Sequence, residues 1–514
     1  MKSRARKILM LLLAAALLFG SGQVEKNLNR DRDALGMTIS LPLDDAPPVL
    51  ALTTQALGGF RGLISNFLWM RANDLQLNDQ YFEAAQLANW ITDLEPHFSQ
   101  VWIYQAWNMA YNISVKFKDF DDRWRWVQNG IELLRDRGLK YNPDDLLIYQ
   151  QLAWFYQHKM GAILDDANNY YKTEFAREMT PFFGPHGTNF DALINPRTAE
   201  ERTNVYILET KYKIDPVFAK QVNTEWGPLD WRLPESHAIY WGALGLEKAR
   251  EHPDKVVQAN VMSVRRIIYQ SMMQAFEHGE IIDNPFDNSV ELGPNLAIIP
   301  KTNEAYEKMM QEDPGDAPNI SIAHRNFLLN ATFYLYEANH VALAKQWYDT
   351  VRELYPNKTI LQNDVNSFPK NVSLDEYCVY RVQGVATDTS QQDTTAAIEG
   401  LLQWSYQYLA LGDDDRYAGL RMLAGKIWET YMNKARPLKS DVTRTGLPPF
   451  KTMDTFVLSR LLDPVNGLPP EARGVIRTHL HLPGDVNTPY GVMSTNTVVA
   501  TPSSTNAPAT SVTP

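Results

Sequence analysis

From Phe60 to about Lys434 apolar residues recur three and four positions apart, in long segments rich in Ala, Leu, Met and aromatic side chains. That spacing lays an apolar stripe along a helix, and no run alternates with the two-residue period of a half-buried strand. Asp, Asn, Pro and Gly break the segments where helices start or stop. The breaks predict helix pairs over 60 to 76 with 80 to 95, 99 to 116 with 121 to 139, and 145 to 161 with 166 to 180. Further pairs follow over 236 to 250 with 254 to 278, 319 to 338 with 340 to 355, and 395 to 411 with 414 to 434. Two stretches interrupt the array, Pro181 to about Pro234 and Ile281 to about Asp316, and their Gly, Pro and Asn mark loops or inserted elements. Past Pro448 one or two terminal helices are expected to cap the stack.

The two ends read differently. Lys2, Arg4, Arg6 and Lys7 precede an apolar run from Ile8 to Phe19, and Gly20, Ser21 and Gly22 follow it. A basic start before a short apolar run is the pattern of an export signal. Twelve residues of helix rise only about 18 Å against a hydrocarbon core of about 30 Å, so a cleaved signal peptide and a tilted membrane anchor both fit. In either case the basic end stays inside, and the body lies in the periplasm or is secreted. Residues 484–514 hold no Lys, Arg or Glu and are dominated by Thr, Ser, Pro, Ala, Val and Asn, a composition that cannot bury a core. The chain therefore divides into a signal peptide or anchor over 1–22, a stalk over 23–59, a helical domain over 60–447, capping helices over 448–483 and a disordered tail over 484–514.

The spacing inside the hairpins resembles that of the tetratricopeptide repeat, a helical pair of about 34 residues with the pattern W-x2-L-G-x2-Y, then small residues, then Pro. Tyr149, Leu152, Ala153 and Tyr156 stand at its first-helix positions. Ala72, Ala84, Ala88 and Pro96 make the most complete unit, Ala344, Tyr348, Val351 and Pro356 keep the second-helix spacing, and Trp241, Leu244 and Gly245 match W-x2-L-G. The remaining hairpins depart from the pattern, and Lys116 to Asp122 lengthens a turn. Gly59 to Ala72 and Trp226 to Trp241 also resemble segments of exported bacterial repeat proteins. The resemblance implies an all-α fold, a right-handed superhelix of stacked hairpins with inserted loops, which serves as a protein-binding scaffold and not as an enzyme.

Charge and composition narrow the chemistry. A formal charge of −11 with dispersed acids offers no footprint for a phosphate backbone, so nucleic acid is set aside. The single Cys378 has no partner for a disulfide or a CxxC site and reads as a small buried hydrophobe. No Walker loop, GxGxxG, GxSxG, HExxH or EF-hand series occurs, and nothing in the sequence points to a metal or a cofactor. Ser367 and Lys370 match S-x-x-K by letters, but the intervening Pro369 makes a loop the better reading. His479 and His481 read as a helix-end pair, and Asp413, Asp414 and Asp415 as an N-terminal cap. Two aromatic loops, Phe182 to Gly187 and Trp226 to Trp231, either line a pocket or pack an insert against the array.

A protein or peptide partner is the expected ligand. In the tetratricopeptide register the residue after the small first-helix position points into the concave groove, as do its neighbours on the same face. Ala106 and Ala153 fix that register and nominate Trp107, Tyr111, Gln150, Trp154, Gln157 and His158. The bland reading places both Trp in the core. The alternative function is an extracytoplasmic all-helical enzyme acting on glycans through a carboxylate pair in an aromatic cleft.

We expect alkaline phosphatase fused after Asp31 to be active in a bacterial host. An inactive fusion alongside a fluorescent cytoplasmic reporter at the same position would reverse the topology.

Overall fold

The computed structural model describes residues 60–253, 258–287, 289–362, 364–384, 390–435 and 446–484, with a few scattered positions between 17 and 31. It is 74% helix and 2% strand. Most of the apolar run, most of the stalk and nearly all of the polar tail lie outside the described residues. Among the described residues no helix is long and apolar enough to cross a membrane, so a transmembrane helix gains no support. Contacts group the chain into two compact units, Met1–Ile113 and Ser114–Pro514. The boundary falls inside the second predicted pair.

The first unit holds helices Phe60–Leu77, Tyr81–Leu94 and Ser99–Trp107, the last running into a π-helical turn over Asn108–Ile113. Small residues let the first two helices approach: Ala72, Ala84 and Ala88 are all fully buried. Asp79 turns the chain between them with φ 61°, a conformation that Asp tolerates better than most residues. Trp102 is buried and donates its indole N–H to the Pro96 carbonyl at 2.7 Å, so the helix-ending proline is also an anchor. Asn108 reaches back to donate to the Tyr81 carbonyl at 3.0 Å.

The second unit reproduces the other predicted pairs. They appear as Leu146–Trp154 with Asn168–Phe183, Pro234–Glu251 with Gln258–His278, Ala317–Glu337 with Val341–Leu354, and Gln391–Leu411 with Asp414–Ala435. Helix Leu146–Trp154 continues as a π turn over Phe155–Gly161, and helix Phe120–Glu132 as another over Leu133–Gly138. Terminal helices Phe450–Leu461 and Pro470–His479 pack on Gln391–Leu411, and buried Asp454 accepts a 2.6 Å bond from the Tyr406 hydroxyl.

The interruptions are more ordered than their Gly, Pro and Asn suggest. The first contains helices Phe190–Ile194, Ala199–Thr210 and Pro216–Trp226; the second contains Ile299–Glu312, and Leu374–Gln383 follows the fifth pair. Their breakers are start signals: Thr198 and Ser373 form capping boxes with Glu201 and Glu376, and Asp215 caps a helix whose first residue is Pro216. The second interruption also carries an antiparallel hairpin, Glu280–Asn284 against Ser289–Gly293, where no strand is expected. Five residues per strand with paired Ile281 and Ile282 give too little alternation to read as strand.

Glycine sets one close crossing. A Cβ on Gly245 would fall 2.6 Å from the Cβ of Tyr149, so helix Pro234–Glu251 touches Leu146–Trp154 backbone to side chain. We expect Gly245→Ala to destabilise the protein by about 1–3 kcal/mol through overpacking, despite alanine's better helix propensity. Gly400 lies in an exposed helix interior with nothing within 4 Å of its absent Cβ. Gly400→Ala should therefore stabilise by about 0.5–1 kcal/mol. Urea unfolding of the two variants should give shifts of opposite sign; shifts of the same sign would refute the close crossing.

Candidate functional site

The two aromatic loops meet. Helix Asn168–Phe183 ends at Gly184 and Gly187, with φ 74° and 67°, values that only glycine adopts readily. The Gly187 carbonyl accepts a 3.0 Å bond from the Trp231 backbone N–H. A Cβ on Gly187 would lie 1.9 Å from an Asp230 oxygen, so the contact requires a bare backbone. Asn223 at the end of helix Pro216–Trp226 braces the second loop, its Oδ1 accepting from the Leu229 N–H at 2.9 Å and the Trp231 indole at 3.2 Å. Behind both, the fully buried Trp231 stacks on Phe183 at 5.4 Å and meets Phe190 edge-on at 5.5 Å.

In front of them opens a cleft of about 710 Å³. Its walls come from both loops, the strand hairpin, the residues around Asn295, the turn at Ala338 and His340, and the helix start at Asp413 to Arg416. Asn295 donates to the Pro228 carbonyl at 2.9 Å and ties one wall to the other. Five carboxylates, Asp230, Glu280, Asp283, Asp413 and Asp415, face two guanidinium groups, Arg232 and Arg416. Both guanidinium groups are engaged. Arg232 grips Asp230 with Nη2 at 2.6 Å, and Arg416 pairs with Glu280 and with Asp413 at 3.3 Å. Asp283 and Asp415 are exposed and have no basic partner among the described residues. Beside the wall, burial pushes the Glu337 carboxyl up to about 7, against the pull of Arg416 and Arg381.

The residues nominated from the repeat register fall in both units. Trp107 is half-buried and stacks on Tyr111 at 4.2 Å, and Trp154 is half-buried and stacks on His158 at 4.4 Å. Each Trp is the last α-helical residue before a π turn, so one local device occurs in both units. Burial, with help from Lys159, lowers the His158 pKa. Gln157 is buried, Gln150 is half-buried, and the side-chain carbonyl oxygens of both, with the Trp154 indole N–H, have no hydrogen-bond partner.

The remaining sequence candidates are structural. Asp413 caps its helix by accepting from the Arg416 N–H at 2.9 Å. Ser367 is buried in a loop and donates to the Asp364 carbonyl at 2.7 Å. His479 ends a helix, His481 follows with φ 52°, and Cys378 is buried with its thiol pKa raised by desolvation. Sequence reasoning passed over Glu337 and Arg416, which are single polar residues in amphipathic segments and read as solvated positions. The chain fits no family model and matches no curated protein and no solved structure.

His237 lies under the loops, fully buried among aromatic rings, and its Nε2 contacts the Trp231 carbonyl at 3.0 Å. Burial lowers its pKa from 6.5 to about 4, so the folded state holds it neutral where the unfolded chain protonates it. Its contribution is complete above pH 6.5 and is lost as pH falls toward 4, a change of about 3 kcal/mol. His237→Gln keeps an N–H for the Trp231 carbonyl without titrating. We expect the stability advantage of the parent over this variant in urea to shrink steadily from pH 7 to pH 4; an advantage independent of pH would remove histidine neutrality as the cause.

Proposed function

We propose that this chain is an extracytoplasmic, membrane-associated scaffold of the tetratricopeptide type, a superhelix of stacked hairpins whose Ser114–Pro514 unit holds a basic peptide segment of a protein partner. The carboxylate surplus of the cleft carries this reading: once Arg232 and Arg416 are engaged, Asp283 and Asp415 are left to recognise cationic side chains. A cleft lined by one sign of charge concentrates ligands of the other and raises their association rate. Small and aromatic residues at repeat spacing support the scaffold, because Ala72, Ala153 and Ala344 are all fully buried at helix contacts. The recurring half-buried Trp pairs add aromatic surface of the kind that anchors protein partners.

A second reading, an extracytoplasmic enzyme acting on glycans, draws on Glu337. A carboxyl pushed up to about 7 by burial beside Arg416, which lines the cleft, is suited to general acid catalysis.

The scaffold reading is tested with fluorescent peptides of equal length, rich in Lys and Arg or in Glu. We expect binding of the basic peptide alone, weakened by salt and reduced at least tenfold by Asp283→Lys with Asp415→Lys at unchanged melting temperature. Equal binding of both peptides, or no response to the charge reversal, would defeat the cleft as the site. Trp154→Ala probes the groove separately: a collapse in stability would place that Trp in the core.

A further inference from the structure

The first unit contains a helix that is apolar on two opposite faces. On Phe60–Leu77 the inner face is settled: Ser65, Ala72 and Leu75 are buried, and Trp69 meets Tyr104 edge-on at 4.9 Å. On the outer face Leu63, Phe67, Met70 and Leu77 are 63%, 64%, 62% and 84% exposed. A surface helix ordinarily turns polar and charged residues outward, and one that is apolar on both sides belongs among other structure. Four large apolar side chains on one face are not the single, scattered exposure found on any protein surface.

The spacing of the outer face points to its partner. Positions 63, 67, 70, 74 and 77 are separated by four, three, four and three residues, the 3.5-residue period of a coiled-coil seam. The seam is narrow, with exposed Asn66 and Asn73 along one border and Ile64 and Arg71 along the other. A lipid surface calls for a broad apolar face with basic flanks, which this helix lacks. A second helix with the same period suits it, because the side chains of each then enter the gaps of the other. Another copy of this chain necessarily presents that helix, and two identical faces close a symmetric pair.

Asp74 sets the direction. It is the one charged residue of the seam, exposed and without an ion-pair partner among the described residues. In a parallel, in-register pair the two Asp74 carboxylates would meet, and burying like charges together is costly. In an antiparallel pair with Phe67 opposite Met70, Asp74 falls opposite Leu63. The two carboxylates then stand about 16 Å apart along the axis, well beyond the screening length at physiological salt.

We propose that helix Phe60–Leu77 is a self-association surface along which two copies of this chain pair as an antiparallel coiled coil, with Leu63, Phe67, Met70 and Leu77 interlocking. Isolated helices of this length are marginal in water, but here each is already held by its own hairpin, so pairing orders side chains and not backbone. The surface lies in the first unit and does not depend on the cleft in Ser114–Pro514, so either reading can fail without the other.

The test is sedimentation velocity of the full chain in mild detergent over a range of protein concentrations, where a monomer–dimer equilibrium is expected. Phe67→Glu with Met70→Glu, both at exposed positions, should weaken the dimer at least about tenfold with helicity by circular dichroism unchanged. Asp74→Leu removes the charge from the seam and should tighten the dimer about tenfold, a readout that does not rely on the disruptive variant. Oxidation of a mixture of Leu63→Cys and Asp74→Cys chains should give a mixed disulfide dimer, while neither variant crosslinks alone. A monomer at every concentration, with the face covered by another part of the chain or by a different protein, would overturn the proposal. So would a dimer indifferent to the paired Glu substitutions, and crosslinking of Leu63→Cys alone would overturn the antiparallel arrangement.

Discussion

The burial of Trp231 is the contact on which the two aromatic loops and the cleft in front of them depend. One indole is stacked on Phe183, braced by Asn223 and roofed by His237, while its own backbone N–H holds the opposite loop at Gly187. Burying a side chain of this size contributes more than any single surface contact, and its directional bonds fix where the two loops stand. With the loops fixed, Asp230 and Arg232 face the cleft as a neutralised pair. Their separation would strand a buried charge, which costs far more than the pair itself contributes.

The helical plan was legible because its signal is periodic and repeated. Ala72, Ala84, Ala88, Ala153 and Ala344 are small at crossings, and the six predicted pairs stand within a few residues of their observed bounds. The interruptions were less legible because one residue serves two purposes in local sequence. Pro216 is a breaker by composition and a first helical residue by position, and only its Asp215 cap tells which. The strand hairpin left almost no trace, since two short strands resting on helices need little alternation of their own.

The candidate sites divide along the same line. The loops at Phe182 to Gly187 and Trp226 to Trp231 stood out by their aromatic, Gly and Pro content, and they do line the cleft of about 710 Å³. Asp283 and Asp415 did not stand out. Each is one polar residue among many, and its neighbours come from sequence distances of tens to hundreds of residues, which only the fold reveals. Charge identity is local information, whereas desolvation and pairing are properties of the assembled interior.

The π turns connect these levels. An α-helix widened by one residue per turn loses regular hydrogen bonding and packs less well, so it persists only where neighbouring structure compensates. Here two of the three follow a half-buried Trp that stacks on the residue four positions later, at Trp107 and at Trp154. The ring stack is a compensation common to both turns. The second turn ends at Gly161, whose bare backbone lets Gln274 Oε1 and the Tyr156 carbonyl come within 3.0 and 3.1 Å of where a Cβ would stand. A turn that costs stability therefore persists where a ring stack on one flank and a close glycine contact on the other both pack against it.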